Sequence, residues 1–209
     1  TGPATELPIA VAGDTLTLLG FDPVEHGPGV LVVGPRRTGR STALQVLAAD
    51  AAARGWPVVT ITPRPRPLRS ESYGGPVFTM DSDRQEVTAA LAALVEAGPS
   101  LLLVDDLELI GLDGWLADLV TEHTAALRDR AGLIAAAGSI EDLGSVYRGP
   151  AVALKRSRSG LLLSPQNQGD GDLFGIRPPR STVGGPPVPG RGLLIRGGAF
   201  QGAQVVLPE

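Results

Sequence analysis

Residues 34–41, GPRRTGRS, follow an aliphatic run from Val30 to Val33 and lead into a helical pattern, Ser41 to Arg54, that Gly55 and Pro57 stop. A glycine-rich turn between a buried strand and a helix start is demanding. Its backbone N–H groups can curl around phosphate oxygens only where a sheet holds the strand and the helix N-terminus adds its partial positive charge. The pattern is that of a phosphate-binding loop whose lysine is replaced by arginine. On this reading Gly34, Arg36, Arg37, Thr38, Gly39, Arg40, Ser41 and Thr42 form the nucleotide-binding set. Ser41 would ligate Mg²⁺, Thr42 would reach the α-phosphate, and ATP or ADP with Mg²⁺ is the implied cofactor. The competing reading is a glycine turn that matches by chance.

A second motif lies where the first needs it. Residues 101–106, LLLVDD, are an apolar strand running into two aspartates, as in a Walker B segment. Asp105 would hold the Mg²⁺ shell through Ser41 or water, and Asp106 stands in the place of a catalytic glutamate. Alone, the same residues are also compatible with a plain strand-to-turn transition.

A chain of 209 residues can bury a substantial core. Its 18 basic residues against 22 acidic ones give no global basic field for nucleic acid, so any such contact has to be local. Absence of cysteine excludes disulfides and thiolate metal sites. His26 and His123 are too far apart in sequence for a zinc site and read as solvent-facing. No apolar stretch approaches bilayer-spanning length, and no signal peptide is present, so this piece is expected to be soluble, without direct membrane insertion. The opening TGPATE reads as a linker, residues 1–6, at the edge of a longer protein. Only Lys155 among the basic residues is lysine, and this arginine bias weakens Arg40 as an independent clue.

Around Ile9 to Val11 and Leu16 to Leu19, short alternating segments flank Gly13-Asp14 and predict a hairpin. An α/β rhythm follows: strands at Val58–Thr62, Val77–Met80, Leu101–Val104 and Leu133–Ala137, with helices at Gln85–Ala97 and Trp115–Arg130. Such alternation predicts a mostly parallel sheet with helices on both faces and ligands at the carboxyl ends of its strands. Ala151–Leu154 and Leu161–Leu163 read as strands on either side of the basic turn KRSRSG, and 164–189 reads as a loop wrapping the surface. Leu193–Ile195 and Val205–Leu207, around Gly197-Gly198, predict a terminal hairpin. The organisation is therefore one domain over 7–209, with a parallel core at about 28–155 and an appendage over 156–209.

With GPGVLVVGPRRTGRSTAL, LLLVDD, SGLLLSPQNQGDGDLFG and PVPGRGLLIRGG in place, the chain resembles the FtsK/SpoIIIE class of motor ATPases. In particular it is similar to the last ATPase domain of type VII secretion motors of actinobacteria. The first and second segments are general to P-loop proteins; the other two are more specific to the family. The resemblance implies a RecA-like core, a place in a string of similar ATPase domains behind a membrane anchor, and a cytoplasmic location. It also implies small helical secreted proteins, or their C-terminal tails, as partners. DNA is the cargo of related motors and is a less favoured partner here.

Departures from that pattern bear on mechanism. Arginine offers a longer, planar fork than lysine's compact charge, so Arg40 cannot occupy the lysine position without a shift of loop or nucleotide. Asp106 is one methylene shorter than glutamate, about 1.5 Å less reach, which leaves its hold on an attacking water in doubt. Ser139, after the strand at Leu133–Ala137, is a weak candidate for a sensor. Whether the domain is an enzyme is therefore open. Two lapses in the catalytic set favour a regulatory or docking domain with little hydrolysis; the arginine bias favours an active ATPase completed by neighbouring subunits, as in a DNA translocase. A small-molecule kinase would need a lid and an acceptor pocket that the sequence does not display.

The remaining arginines carry paired readings. Arg36 and Arg37 are either phosphate or neighbour contacts, or solvated. Arg156 and Arg158 are either a finger projecting from a sheet edge or a solvated turn. PRPRPLR, from Pro63 to Arg69, is a stiff extended connector that could touch an acidic partner or DNA phosphates. No aromatic residues interleave with it to stack bases.

Overall fold

The computed structural model describes residues 5–13, 16–63, 75–110 and 114–207. Most of the PRPRPLR segment, the TGPA opening and Asp14 lie outside them. In chain order the elements are β1 (Leu7–Ala12), β2 (Thr17–Phe21), β3 (Gly29–Val33), α1 (Arg40–Ala53), β4 (Val58–Ile61), β5 (Val77–Phe78) and α2 (Arg84–Glu96). There follow β6 (Leu101–Val104), α3 (Leu107–Ile110), α4 (Trp115–Arg128), β7 (Leu133–Gly138), α5 (Ile140–Gly144), α6 (Pro150–Lys155), β8 (Gly160–Leu163), β9 (Arg191–Arg196) and β10 (Ala199–Val205).

Among the described residues the strands form one ten-stranded sheet in the order β2-β1-β10-β9-β8-β3-β7-β6-β4-β5. From β8 to β5 neighbours run parallel; from β8 to β2 they run antiparallel. The aliphatic runs that form β3, β4, β6, β7 and β8 are buried at every position, as strands covered on both faces must be. Alternation then divides them between two cores. Leu31 and Val33 pack with α2, α4 and α6, whereas Val30 and Val32 pack against Leu44, Leu47 and Ala48 of α1. α2 starts where Asp83 accepts hydrogen bonds from the backbone N–H of Gln85 and Glu86. α4 buries Leu116, Leu119, Val120, His123 and Leu127, the spacing of one helical face.

Both terminal hairpins form, although the last strand runs over Ala199–Val205, directly after the Gly197-Gly198 turn, and not over Val205–Leu207, and the two hairpins also join each other: Ala10 pairs with Val205 and Ala12 with Ala203. The parallel core and its appendage are thus one continuous sheet. At the far edge β5 is only two residues long, ending before Thr79, where the Ser82 hydroxyl accepts from the Thr79 N–H.

Several expectations are overturned. Residues 150–155 are helical, not a strand. Gly149 precedes Pro150 at the first helical position, where a missing N–H costs nothing, and Ala151 and Leu154 share the buried face at i, i+3. A four-residue aliphatic run without alternation does not distinguish the two states. KRSRSG therefore joins a helix to an interior strand and is not a turn at a sheet edge. Arg158, at φ 48°, donates from Nε to the Phe174 carbonyl and from Nη2 to that of Gly175, both at 3.0 Å, which ties it into the chain, whereas Arg156 is exposed at the end of α6.

The stretch 164–189 is also more than a surface wrap. A 3₁₀ helix at Gln168–Phe174 opens with a reciprocal cap between Asn167 and Asp170, and the Asp170 carboxylate accepts from the N–H of Gln166 and Asn167 at 2.7 and 3.2 Å. Leu173, Phe174 and Ile176 enter the core beside α6 and β8. His123 is buried, its Nδ1 2.8 Å from the Leu119 carbonyl, and His26 is half-buried, accepting at Nδ1 from the Asp22 N–H at 2.9 Å. Both rings serve the fold and are not solvent-facing. Since Phe174 is fully buried, Phe174→Ala is expected to lower unfolding free energy by about 3–5 kcal/mol. Urea denaturation checks this, and a loss under about 1 kcal/mol would return the segment to a surface role.

Candidate functional site

β3 delivers the chain to Gly34, where a Cβ would lie 2.7 Å from the Leu163 carbonyl oxygen and 2.8 Å from Thr38 Oγ1. Only glycine fits between the loop and β8. Thr38 is fully buried, and its hydroxyl donates to the Pro35 carbonyl at 2.8 Å. Arg37 (φ 66°) and Gly39 (φ 96°) take left-handed conformations that curl the backbone into the loop. Gly190, in the PVPGRG segment, donates its N–H to the Thr38 carbonyl at 2.8 Å, so the C-terminal part of the sheet braces the loop from outside. α1 begins at Arg40 with no side-chain cap and no acid in its first turn. A 14-residue helix thus offers its N-terminus to an anion.

The second half comes from β6, whose parallel neighbours β4 and β7 hold its carboxyl end beside the loop. Asp105 is buried, and its Oδ2 accepts from Ser41 Oγ at 2.9 Å while Oδ1 accepts from the Asp106 N–H at 3.1 Å. Burial pushes the Asp105 carboxyl above the ordinary value; the Ser41 hydrogen bond opposes this and the Asp106 charge adds to it. Among the described residues no group of three or more His, Cys, Asp or Glu is arranged to hold a metal. One hydroxyl and one carboxylate side by side do match what Mg²⁺ takes from a protein when phosphate and water oxygens complete its shell. Ser41 and Asp105 would hold it, and it would supply charge neutralisation for phosphate oxygens.

Arg40 does not lie free in the loop. Its Nη2 is 3.9 Å from Asp106 Oδ1 and its Nη1 is 3.9 Å from Glu108 Oε1. Asp106, at φ 49°, makes the turn from β6 into α3, and Leu109 N–H donates to its carbonyl at 2.8 Å. Glu108 was not among the residues singled out from the sequence. Its only sequence signal is its position two residues beyond the aspartate pair, on a segment too short for periodicity. Gly138, the last residue of β7, makes room for it: a Cβ there would lie 2.6 Å from Glu108 Oε2.

A cavity of about 420 Å³ opens over the loop, lined in part by Gly34, Arg36, Arg40, Glu108, Ser139 and Asp170. Of the predicted residues, Gly34, Arg36 and Arg40 line it. Ser41, Asp105 and Asp106 gather beside Arg40 without lining it. Thr38 and Gly39 shape the loop, Thr42 is half-buried on α1, and Arg37 is exposed away from the cavity. Ser139 Oγ is the N-cap of α5, accepting from the Asp142 N–H at 3.5 Å.

No protein-family profile matches the chain, and no curated protein matches it in sequence. Solved structures match its fold. EssC (ATPases 2 and 3) from Geobacillus thermodenitrificans superposes with a TM-score of 0.77 at 16% identity, over 99% of this chain and 42% of that one. Thermomonospora curvata EccC (ATPases 2 and 3), in complex with a signal sequence peptide, gives 0.70 at 19% identity over 98% and 41%. The pCW3 conjugation coupling protein TcpA with ATPγS gives 0.66 at 15% identity over 98% and 67%. The chain thus spans about two fifths of the EssC and EccC structures and adopts the fold of P-loop ATPases: α/β, a mostly parallel sheet with helices on both faces.

The raised Asp105 carboxyl has a signed consequence. Between its ordinary value of 3.8 and its higher folded value, the folded protein binds more protons at this group than the unfolded chain does, so its contribution to stability falls as pH rises through that window. Asp105→Asn keeps the shape and removes the titration. The variant is expected to be at least as stable as the parent at neutral pH, with the difference shrinking as pH is lowered toward 3.8; thermal melting across pH measures it.

Proposed function

We propose that this chain is a nucleotide-binding domain of an FtsK/SpoIIIE-type secretion motor, one that binds ATP or ADP with Mg²⁺ and turns it over weakly or not at all. The observation that carries this is the Ser41–Asp105 hydrogen bond at 2.9 Å beside an Arg40 engaged with Asp106 and Glu108. The metal-side pairing of the site is intact, while the residue in the lysine position faces carboxylates. Arginine's fork suits bidentate oxyanions but does not reproduce a lysine's point charge between the β- and γ-phosphates. Hydrolysis is expected to suffer more than binding.

The domain's task on this reading is regulation or docking of small helical secreted proteins through their tails, alongside neighbouring ATPase domains, on the cytoplasmic side of a membrane-anchored chain. Support comes from the likeness to EccC, whose structure holds a signal sequence peptide. It also comes from an apolar groove of about 580 Å³ between Val11 and Leu16 on one side and Val183, Pro186 and Val188 on the other, room for a short amphipathic segment. Among the described residues no helix is long and apolar enough to cross a membrane. An active DNA translocase is the second reading. The likeness to a conjugation coupling protein favours it, and the 22 acidic against 18 basic residues weigh against it.

Calorimetric titration with ATP and ADP in Mg²⁺, with Asp105→Ala as control, is expected to give micromolar binding that the control weakens by about 10–100-fold. Steady-state hydrolysis is expected to stay well below roughly 1 per second. Absence of binding would remove the nucleotide reading, and rapid turnover abolished by Arg40→Ala would make the domain an active ATPase.

A further inference from the structure

We propose that Glu108 sets the nucleotide affinity of this site, by holding Arg40, together with Asp106, on carboxylate oxygens that a terminal phosphate has to replace. The inference rests on reading the site as a nucleotide site, and it assigns the control of that site to a residue outside both motifs.

The geometry has three parts. First, the guanidinium spans two carboxylates, and both ion-pair distances, 3.9 Å, are beyond hydrogen-bonding range. Second, Arg40 Nη1 and Glu108 Oε2 are both buried and, among the described residues, without a hydrogen-bond partner. Arg40 is therefore attracted but unsatisfied, a poised contact that charge-assisted bonds from a phosphate can displace. Third, the fold makes a place for this carboxylate. Gly138 has no side chain to fill the space of Oε2, and α3 fixes Glu108 through the buried Leu107 and Ile110 that flank it.

The electrostatic consequence is competition. Glu108 and Asp106 neutralise Arg40, one of two loop arginines that line the cavity with Arg36, and Glu108 adds negative charge to a lining that already includes Asp170. A nucleotide arriving there meets an occupied arginine and a like charge. Because the residue at this loop position addresses the β- and γ-phosphates, the penalty falls mostly on the triphosphate. Arginine fits this role better than lysine, since one planar fork reaches both carboxylates at once.

Glu108→Gln keeps shape and removes charge; Glu108→Ala removes both; Asp106→Asn tests the other arm. Each is titrated with Mg²⁺-ATP and Mg²⁺-ADP, and thermal melting confirms that each variant is folded. The expected result is ATP affinity raised about tenfold in both Glu108 variants, a smaller gain in Asp106→Asn, and a clearly smaller gain for ADP throughout. A parent that binds nucleotide with variants that bind equally or more weakly overturns the inference and leaves the nucleotide reading standing, as does a gain of equal size for ATP and ADP. A silent parent with binding variants supports it in its strongest form. Silence in all of them overturns both.

Discussion

β3 is buried at all five positions and hydrogen-bonded on both sides by parallel neighbours, β7 and β8, and this fixes everything built at its carboxyl end. A strand so confined cannot slide by one residue without turning Val30 and Val32 into the wrong core. Its last residue therefore hands the chain to Gly34 at one place and in one direction, where Leu163 of β8 leaves space for no side chain. The buried Thr38, the left-handed Arg37 and Gly39 and the uncapped start of α1 follow from that constraint. β6, two places away in the sheet, is held by the same pairing, and this is why Asp105 meets Ser41 across 64 residues of sequence.

Within that rigid frame the site is electrostatically divided. Asp105 faces the hydroxyl of Ser41 and is raised by burial, whereas Asp106, one residue on, turns through a left-handed conformation and faces Arg40. Consecutive aspartates thus serve opposite sides of the loop, one facing Ser41 and one facing Arg40. Alternation along an extended strand would by itself separate their side chains. The tight turn into α3 then brings Glu108 to the same guanidinium.

Strands β3, β6 and β7 were legible because each is an aliphatic run with a glycine or an acid at its carboxyl end, and the two candidate motifs follow from the ends of β3 and β6. What was hidden depends on tertiary context. Ala151–Leu154 is apolar at every position, so its helical state is decided by Gly149-Pro150 before it and by the surface it packs on. Phe174 sits among glycines and polar residues that read as loop, and its burial depends on the Asn167–Asp170 cap closing a 3₁₀ turn. Glu108 carries no motif; its place against Arg40 is produced by a four-residue helix and by a glycine 30 residues later. The pairing of β1 with β10 joins the two ends of the chain, and no local pattern encodes which hairpin meets which.

The terminal pairing also changes what the C-terminal hairpin is for. Gly190, at φ 74°, donates to Thr38 in the loop and accepts from the Val205 N–H at 2.8 Å, while Gln204 Nε2 donates to the Pro189 carbonyl at 3.1 Å. β9 is paired with β8, and β8 backs Gly34. The 34–41 loop is therefore clamped from two sides by the same antiparallel extension, once through β8 and once through Gly190. A side chain at Gly190 would have to share space with Gln204 Nε2, 2.6 Å from its Cβ, in a backbone conformation that L residues rarely adopt. PVPGRG is thus the outer wall of the loop.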